Sequence, residues 1–356
     1  MNRYIKITMT GLGLLGLLVL TQNFTSLEFD GANLTSNQTL MTCSQVKPLV
    51  TGTFTMKTNM VYTRFISKVP NEIQAFDFSR PNDGLLRPLA IVIHGGGWQN
   101  GSKDEGGVRN VTRNLVSKGF AVANFNYPLV KMINGVWVNQ FPIPVQALRC
   151  GMRYLSKNAA KWGIDKTRVV TYGASAGGNL SSMLAYAGDD TSGVLDSPDC
   201  EHKLEPLIPV HASITNSGVY AFRVATAFSR PGARAFLGNA NCDPLLDQEV
   251  LLAPEPKQCR DYRWAQAAKA SPRQYINAST PPTFAIHSIA DGTVNYDQFE
   301  WLTKTLQEFE VPYSAVTIDG TDHVPNIFDY ADTQRRSAMC QMFDFLESAI
   351  GTLPSL

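Results

Sequence analysis

The chain of 356 residues is 44% hydrophobic and 17% charged, with a formal net charge of +1, so it can bury a large core and needs neither a disordered nor a collagen-like explanation. The near-neutral balance and the lack of a long basic run supply no field that would draw in nucleic acid or an acidic membrane surface. A neutral or small partner is the natural expectation, and one large domain the economical architecture.

Arg3 and Lys6 precede an apolar run from Ile7 to Leu20, which is shorter than the roughly 20 residues a membrane span needs. Residues 1–22 therefore read as a secretory signal peptide. No A-x-A site ends the run, so retention as an N-terminal anchor stays open, and only then would a membrane be a partner. Residues 23–50 are rich in Thr, Asn, Gln and Ser and read as a linker; residues 51–356 read as the catalytic domain. Six cysteines, Cys43, Cys150, Cys200, Cys242, Cys259 and Cys340, are even in number, widely spread and without C-x-x-C spacing, which suits three disulfides in a secreted or periplasmic protein. The one pairing singled out is Cys242 with Cys259, which would close a short stretch; Cys150, inside a helical pattern, also reads as a small buried hydrophobe. Asn-x-Ser/Thr sequons stand at Asn23, Asn33, Asn37, Asn100, Asn110, Asn179 and Asn277, of which Asn179 is expected to be inaccessible.

From Thr53 to Phe65 and from Ile73 to Phe78, alternating apolar and polar residues predict a half-exposed antiparallel pair. Leu89-Ala90-Ile91-Val92-Ile93 is continuously apolar, as a central strand covered on both faces should be. It runs into His94-Gly95-Gly96-Gly97-Trp98, where consecutive glycines at a strand end leave backbone N–H groups free to face a ligand. Val111–Lys118 reads as a short helix, Phe120–Phe125 as a second buried strand, and Val145, Leu148, Met152 and Leu155 as the core stripe of a helix that stops at Gly163. The alternation of strand and helix is that of a parallel α/β sheet.

The next strand, Val169 to Tyr172, leads into Gly173-Ala174-Ser175-Ala176-Gly177, with a helix opening at Asn179. A serine hydroxyl is a weak nucleophile and needs a sharp exposed turn, an adjacent base and oxyanion donors. The G-x-S-x-G pattern between strand and helix meets the first requirement, with small residues around Ser175 letting the two elements crowd together. The glycine run after the earlier strand meets the third: Gly96, Gly97 and Ala176 are the candidate oxyanion donors. Trp98 and Tyr127 are candidate substrate-pocket walls.

Leu207–Ile214 is the next expected strand, followed from Ser217 to Ala270 by a stretch of fading periodicity and scattered prolines, expected to mix helix with irregular loop and to shape a pocket. Pro281–His287 reads as a strand ending in the Asp291-Gly292 turn, and Tyr296, Phe299, Leu302, Leu306 and Phe309 as the core face of a helix. Tyr313–Ile318 reads as the last strand and Met339, Phe343, Leu346 and Ile350 as the last helix. Of five histidines, His94, His202, His211 and His287 precede Asp291 and only His323 follows it. In the order nucleophile, acid, base, His323 is the base and Asp291 the acid that orients it. Asp322 competes for the acid role but is adjacent to His323 in sequence. His287 is expected to pack or hydrogen-bond beneath the acid loop, and His94 to brace the glycine turn. No phosphate-binding loop, H-E-x-x-H or metal-ligand spacing appears, so neither a cofactor nor a metal is expected.

With H-G-G-G-W, G-A-S-A-G-G, Ala270-Ser271-Pro272, D-G-T-V and G-T-D-H in that order, the chain from about Leu89 onward resembles the α/β-hydrolase esterases. It is most similar to the carboxylesterase and feruloyl or acetyl-xylan esterase-like group, with the hormone-sensitive-lipase-like esterases near by. The resemblance implies an α/β fold with a mostly parallel eight-strand sheet flanked by helices, an irregular insertion or lid, and hydrolysis of small-molecule or carbohydrate-linked esters through an acyl-enzyme. It carries over Ser175, Asp291, His323 and the glycine donors. Two departures stand out: Ser217–Ala270 has no matching motif, and the acid turn reads D-G-T-V where lipase-like relatives favour D-P-L. An amidase, formamidase or peptidase on the same triad, or a non-catalytic binding protein that kept the fold, remain as alternatives.

Overall fold

The computed structural model describes residues 54–223, 231–238, 257–330 and 337–352. The expected signal peptide and linker, and the Cys242–Cys259 pairing, lie outside the described residues. An eight-stranded sheet organises the rest, in the order β1 (Phe54–Thr63), β2 (Gln74–Pro81), β4 (Ala121–Phe125), β3 (Arg87–Ile93), β7 (Ile164–Ala174), β8 (Ala212–Asn216), β9 (Thr283–Ser288) and β10 (Tyr313–Ile318). β1 and β2 pair antiparallel, as does β2 with β4, and every later pair is parallel. A short ribbon of β5 (Lys131–Ile133) and β6 (Val136–Val138) stands apart.

Strand β3 shows why a continuously apolar run is needed at the centre. Leu89, Ile91 and Ile93 enter one core with Val145, Leu148, Met152 and Leu155 of α2 (Ile143–Asn158) and Leu180 and Met183 of α3 (Ala176–Tyr186). The alternate residues Ala90 and Val92 enter the opposite core with Val111 and Leu115 of α1 (Gly106–Ser117), and with residues of the C-terminal helix (Ala338–Ile350). Successive side chains of a strand point to opposite faces, so only a sheet layered between helices satisfies both sets. α3 is buried all round, which is the pattern of a helix seated beneath the sheet rather than on the surface.

Several expected bounds shift for local reasons. α1 begins at Gly106 rather than Val111, a start hidden by its two glycines. The strand expected at Leu207–Ile214 forms at Ala212–Asn216, since Pro209 has no N–H for a ladder. Within Ser217–Ala270, helices α4 (Pro231–Leu237) and α5 (Lys257–Ala270) are described. Phe309 is not core-facing: it caps α6 (Asp297–Glu308) and is 46% exposed, because the chain turns away through Glu310 at φ 54°. Cys150 is buried, but it is not merely a small hydrophobe. It forms a disulfide with Cys200, tying α2 to the turn-rich stretch after α3. Cys340, on α7 (Ala338–Ile350), is disulfide-bonded as well. Among the described residues no helix is long and apolar enough to cross a membrane.

Candidate active site

Ser175 stands between the last residue of β7 and the first of α3, at φ 55° and ψ −123°. This sparsely populated conformation is sustained by its surroundings: its N–H donates to the carbonyl of Asn216 at 2.8 Å, and its carbonyl accepts the Asn179 N–H at 3.2 Å. The glycines on either side are demanded by close approach. A Cβ at Gly173 would lie 2.0 Å from the Gly177 oxygen, and one at Gly177 would lie 2.4 Å from the Ile93 oxygen.

His323, in the loop after β10, faces this turn. Its Nε2 lies 2.8 Å from Ser175 Oγ, and its Nδ1 lies 2.8 Å from Asp291 Oδ2. With the proton on Nδ1 donated to Asp291, Nε2 is left to accept from the serine hydroxyl. Burial by itself would push the Asp291 carboxyl up. Hydrogen bonds from His287, His323 and the backbone N–H groups of Thr293 and Val294 outweigh that and hold it well below the usual carboxylate range. Asp291 is therefore an anion at neutral pH, as a partner for an imidazolium must be. His287 lies beneath the acid turn, its Nε2 2.9 Å from the Val294 carbonyl and 3.4 Å from Asp291 Oδ2. Asp322 does not meet His323; its carboxylate accepts from the Tyr330 hydroxyl.

The turn after β3 places Gly96, Gly97 and Trp98 in succession at φ 102°, 59° and 61°, and Gly96 and Gly97 line the space in front of Ser175. Ala176, first residue of α3, contributes an N–H from a helical turn that has no intrahelical acceptor for it. The turn is supported from below. His94 Nδ1 donates to the Gly95 carbonyl at 2.8 Å, and its ring stacks on Tyr127 at 4.4 Å. The Tyr127 hydroxyl donates to Gly95 O at 3.2 Å. Burial holds the His94 imidazole down at about 4, only partly opposed by that bond to Gly95, so the ring is neutral. Tyr127, expected as a pocket wall, lines neither cavity beside Ser175 and acts instead as a prop under the glycine turn. A buried ion pair of Lys103 with Asp77 at 3.0 Å fixes the segment that follows.

Among the described residues, two cavities open on Ser175. The smaller, about 320 Å³, is lined by Trp98, Val219, Ala233, Val294 and Gln298, with Trp98 stacked on Phe236 at 4.6 Å. The larger, about 540 Å³, contains His323 and is walled by Val108, Val111 and Ile327, with Glu105 and Asn110 among its polar residues. Sequence reasoning placed Trp98 here but not Gln298, whose Oε1 accepts both the Tyr220 and Ala221 N–H groups; nothing in its neighbourhood marks it. Asn179 is fully buried and donates to the carbonyls of Val219 and Ala270.

The BD-FAE family model matches residues 77–306, which is more than half of the chain and includes the strand ends that carry Gly96, Ser175 and Asp291. The chain belongs to the BD-FAE family. The match begins twelve residues before Leu89, where the resemblance in the sequence motifs starts, and stops short of His323. Among curated relatives, a probable carboxylic ester hydrolase, LipM, of Mycobacterium tuberculosis is 23% identical over 221 residues, covering 62% of this chain and 45% of that protein. Esterase LipC of the same organism is 21% identical over 279 residues, covering 77% and 62%. The chain thus matches less than two thirds of the length of either relative. Among solved structures, a truncated carbohydrate esterase from gut microbiota superposes with a TM-score of 0.63 at 19% identity, covering 84% of this chain and 97% of that one. A thermophilic esterase of the planctomycete Thermogutta terrifontis gives 0.60 at 19% identity, covering 83% and 94%. At these identities the likeness establishes the α/β-hydrolase fold, mostly parallel with flanking helices, for this member of the BD-FAE family.

Proposed function

We propose that this chain is a serine hydrolase that cleaves carboxylic esters through an acyl-enzyme on Ser175. The observation that carries the reading is the continuous relay from Ser175 Oγ through His323 to Asp291, both links at 2.8 Å, at the junction of two cavities. Ser175 attacks the ester carbonyl while His323 Nε2 takes its proton. The oxygen gains charge facing the Gly96, Gly97 and Ala176 N–H groups. His323 then returns the proton to the leaving alcohol, and a water repeats the sequence to release the acid. Asp291, anionic and held by two backbone N–H groups, stabilises the imidazolium formed at each attack. Trp98 walls the substrate space.

The substrates proposed are small-molecule esters, carbohydrate-linked esters among them, in keeping with the esterase names of the relatives and the carbohydrate esterase among the structural neighbours. Export is proposed with residues 1–22 as the signal peptide, residues 23–50 as a linker and residues 51–356 as the catalytic domain. The Cys150–Cys200 disulfide supports it, since such bonds persist in oxidising compartments. The test is the Ser175→Ala variant on p-nitrophenyl acetate: kcat should fall by something on the order of 10⁴ to 10⁶, and a rate equal to the parent's would reject the assignment.

A further inference from the structure

The dipeptide at the end of β8, Asn216 and Ser217, touches every element that carries the proposed relay. The Asn216 carbonyl accepts the Ser175 N–H at 2.8 Å, and the Ser217 N–H donates to the Ile286 carbonyl of β9, the strand leading to Asp291, at 2.9 Å. Their side chains turn the other way, to the loop of His323. Asn216 Nδ2 donates to the Pro325 carbonyl at 2.9 Å, and Ser217 Oγ accepts the Val324 N–H at 3.3 Å while donating to Asn216 Oδ1 at 3.2 Å. Both residues are buried, at 1% and 0% exposure.

The loop they grip is one the chain would not adopt by itself. Val324 sits at φ 63°, a region where a β-branched residue is an outlier, and it precedes Pro325, which biases the residue before it toward extended backbone. Local preference therefore pulls Val324 out of this conformation, and the residue bonded to it on the N-terminal side is His323. The two side-chain hydrogen bonds fall on Val324 and Pro325, immediately beyond the base. A clamp at that point fixes the direction in which the chain leaves His323, and the clamp is built on the same backbone that receives Ser175.

We propose that Asn216 and Ser217 are positioning residues that hold the His323 loop against the conformational preference of Val324-Pro325, keeping Nε2 within reach of Ser175 Oγ. This rests on the relay being the catalytic one, as proposed above. Misplacement of a catalytic group by about 1 Å costs on the order of 10²-fold in rate, so small relaxations of the loop become visible in kcat.

The test uses the full chain and four variants: Asn216→Ala, Ser217→Ala, Val324→Gly and the double Asn216→Ala/Val324→Gly. Asn216→Ala and Ser217→Ala should each lower kcat on p-nitrophenyl acetate by about tenfold or more while KM stays within about threefold. Peptide-level hydrogen exchange over residues 319–328 should quicken in Asn216→Ala, with peptides of β7 unchanged. Glycine removes the left-handed penalty, so the double variant should recover at least about threefold of the kcat lost in Asn216→Ala. A structural role without positioning would show no such rescue. Unchanged loop exchange in Asn216→Ala, kcat within about twofold of the parent in both single variants, or a double variant no faster than Asn216→Ala would each overturn the proposal. Should Asn216→Ala fail to fold, Ser217→Ala carries both readouts, with Ser217→Ala/Val324→Gly as its rescue. A parent without esterase activity would overturn the functional reading alone, and the exchange comparison would then decide the clamp.

Discussion

Replacing His94 by Asn should flatten the acid side of the stability profile. The imidazole is 1% exposed, and burial lowers it from 6.5 to about 4 against the opposing bond to Gly95. The folded-state value lies below the unfolded one, so between pH 6.5 and about 4 the unfolded chain takes up a proton that the folded chain refuses, and stability falls as pH falls through that window. At ~1.36 kcal/mol per pH unit the full effect is on the order of 3 kcal/mol, with about 2.5 kcal/mol of it already lost at pH 4.5. Asparagine keeps an N–H for Gly95 O but does not titrate. Burial also lowers His202 and His211, but both remain in parent and variant and cancel in the comparison. Asp291, shifted down, contributes stability that is present above the ordinary carboxylate value and is lost only below about pH 4. Urea unfolding at pH 7.5 and 4.5 measures the difference. The variant should be the less stable protein at pH 7.5, having lost the stack on Tyr127, yet lose about 2.5 kcal/mol less than the parent on acidification. Parallel losses in the two proteins would refute a neutral, buried His94.

Asp291→Asn should lower kcat by about 10⁴-fold, the scale set by loss of a triad carboxylate, whereas Asp322→Asn, which keeps an oxygen to accept from the Tyr330 hydroxyl, should keep kcat within about threefold. Steady-state kinetics on one ester separates them, and comparable losses would return Asp322 to contention as the acid. Removing the Cys150–Cys200 bond as the double Ser variant opens a loop of sequence separation 50. Loop entropy predicts a cost of about 4 kcal/mol, to be read as a lowered denaturant midpoint. An unchanged midpoint would mean that the bond constrains little in the unfolded chain.

What could be read in advance was what local chemistry or periodicity dictates. Strand β3 announces itself because both its faces are buried, so every residue from Leu89 to Ile93 must be apolar. The glycines around Ser175 follow from backbone approaches that no side chain could survive. His323 emerged because chain order left one histidine after Asp291. The rest depends on contacts between distant segments. Cys150 meets Cys200 only because α2 lies beside the stretch after α3, and no spacing rule encodes that. Tyr127 reads as a pocket aromatic because an aromatic near a strand end fits either role; its place under His94 is set by packing. The backbone groups bonded by the side-chain amides of Gln298 and Asn216 lie 77 or more positions away in sequence, so no local pattern distinguishes these residues from surface amides. Phe309 satisfied the helical spacing but falls where α6 ends, and periodicity does not reveal where a helix stops.

The central claim is that Ser175 is the nucleophile, activated by His323. It is tested most directly by treating the protein with a fluorophosphonate and locating the adduct by peptide mass spectrometry, alongside residual esterase activity. A single adduct is expected on Ser175, with activity lost in proportion to labelling, and no labelling of the His323→Ala protein on the same timescale. Full labelling at another residue, or an unlabelled Ser175 in a protein that still hydrolyses esters, would contradict it.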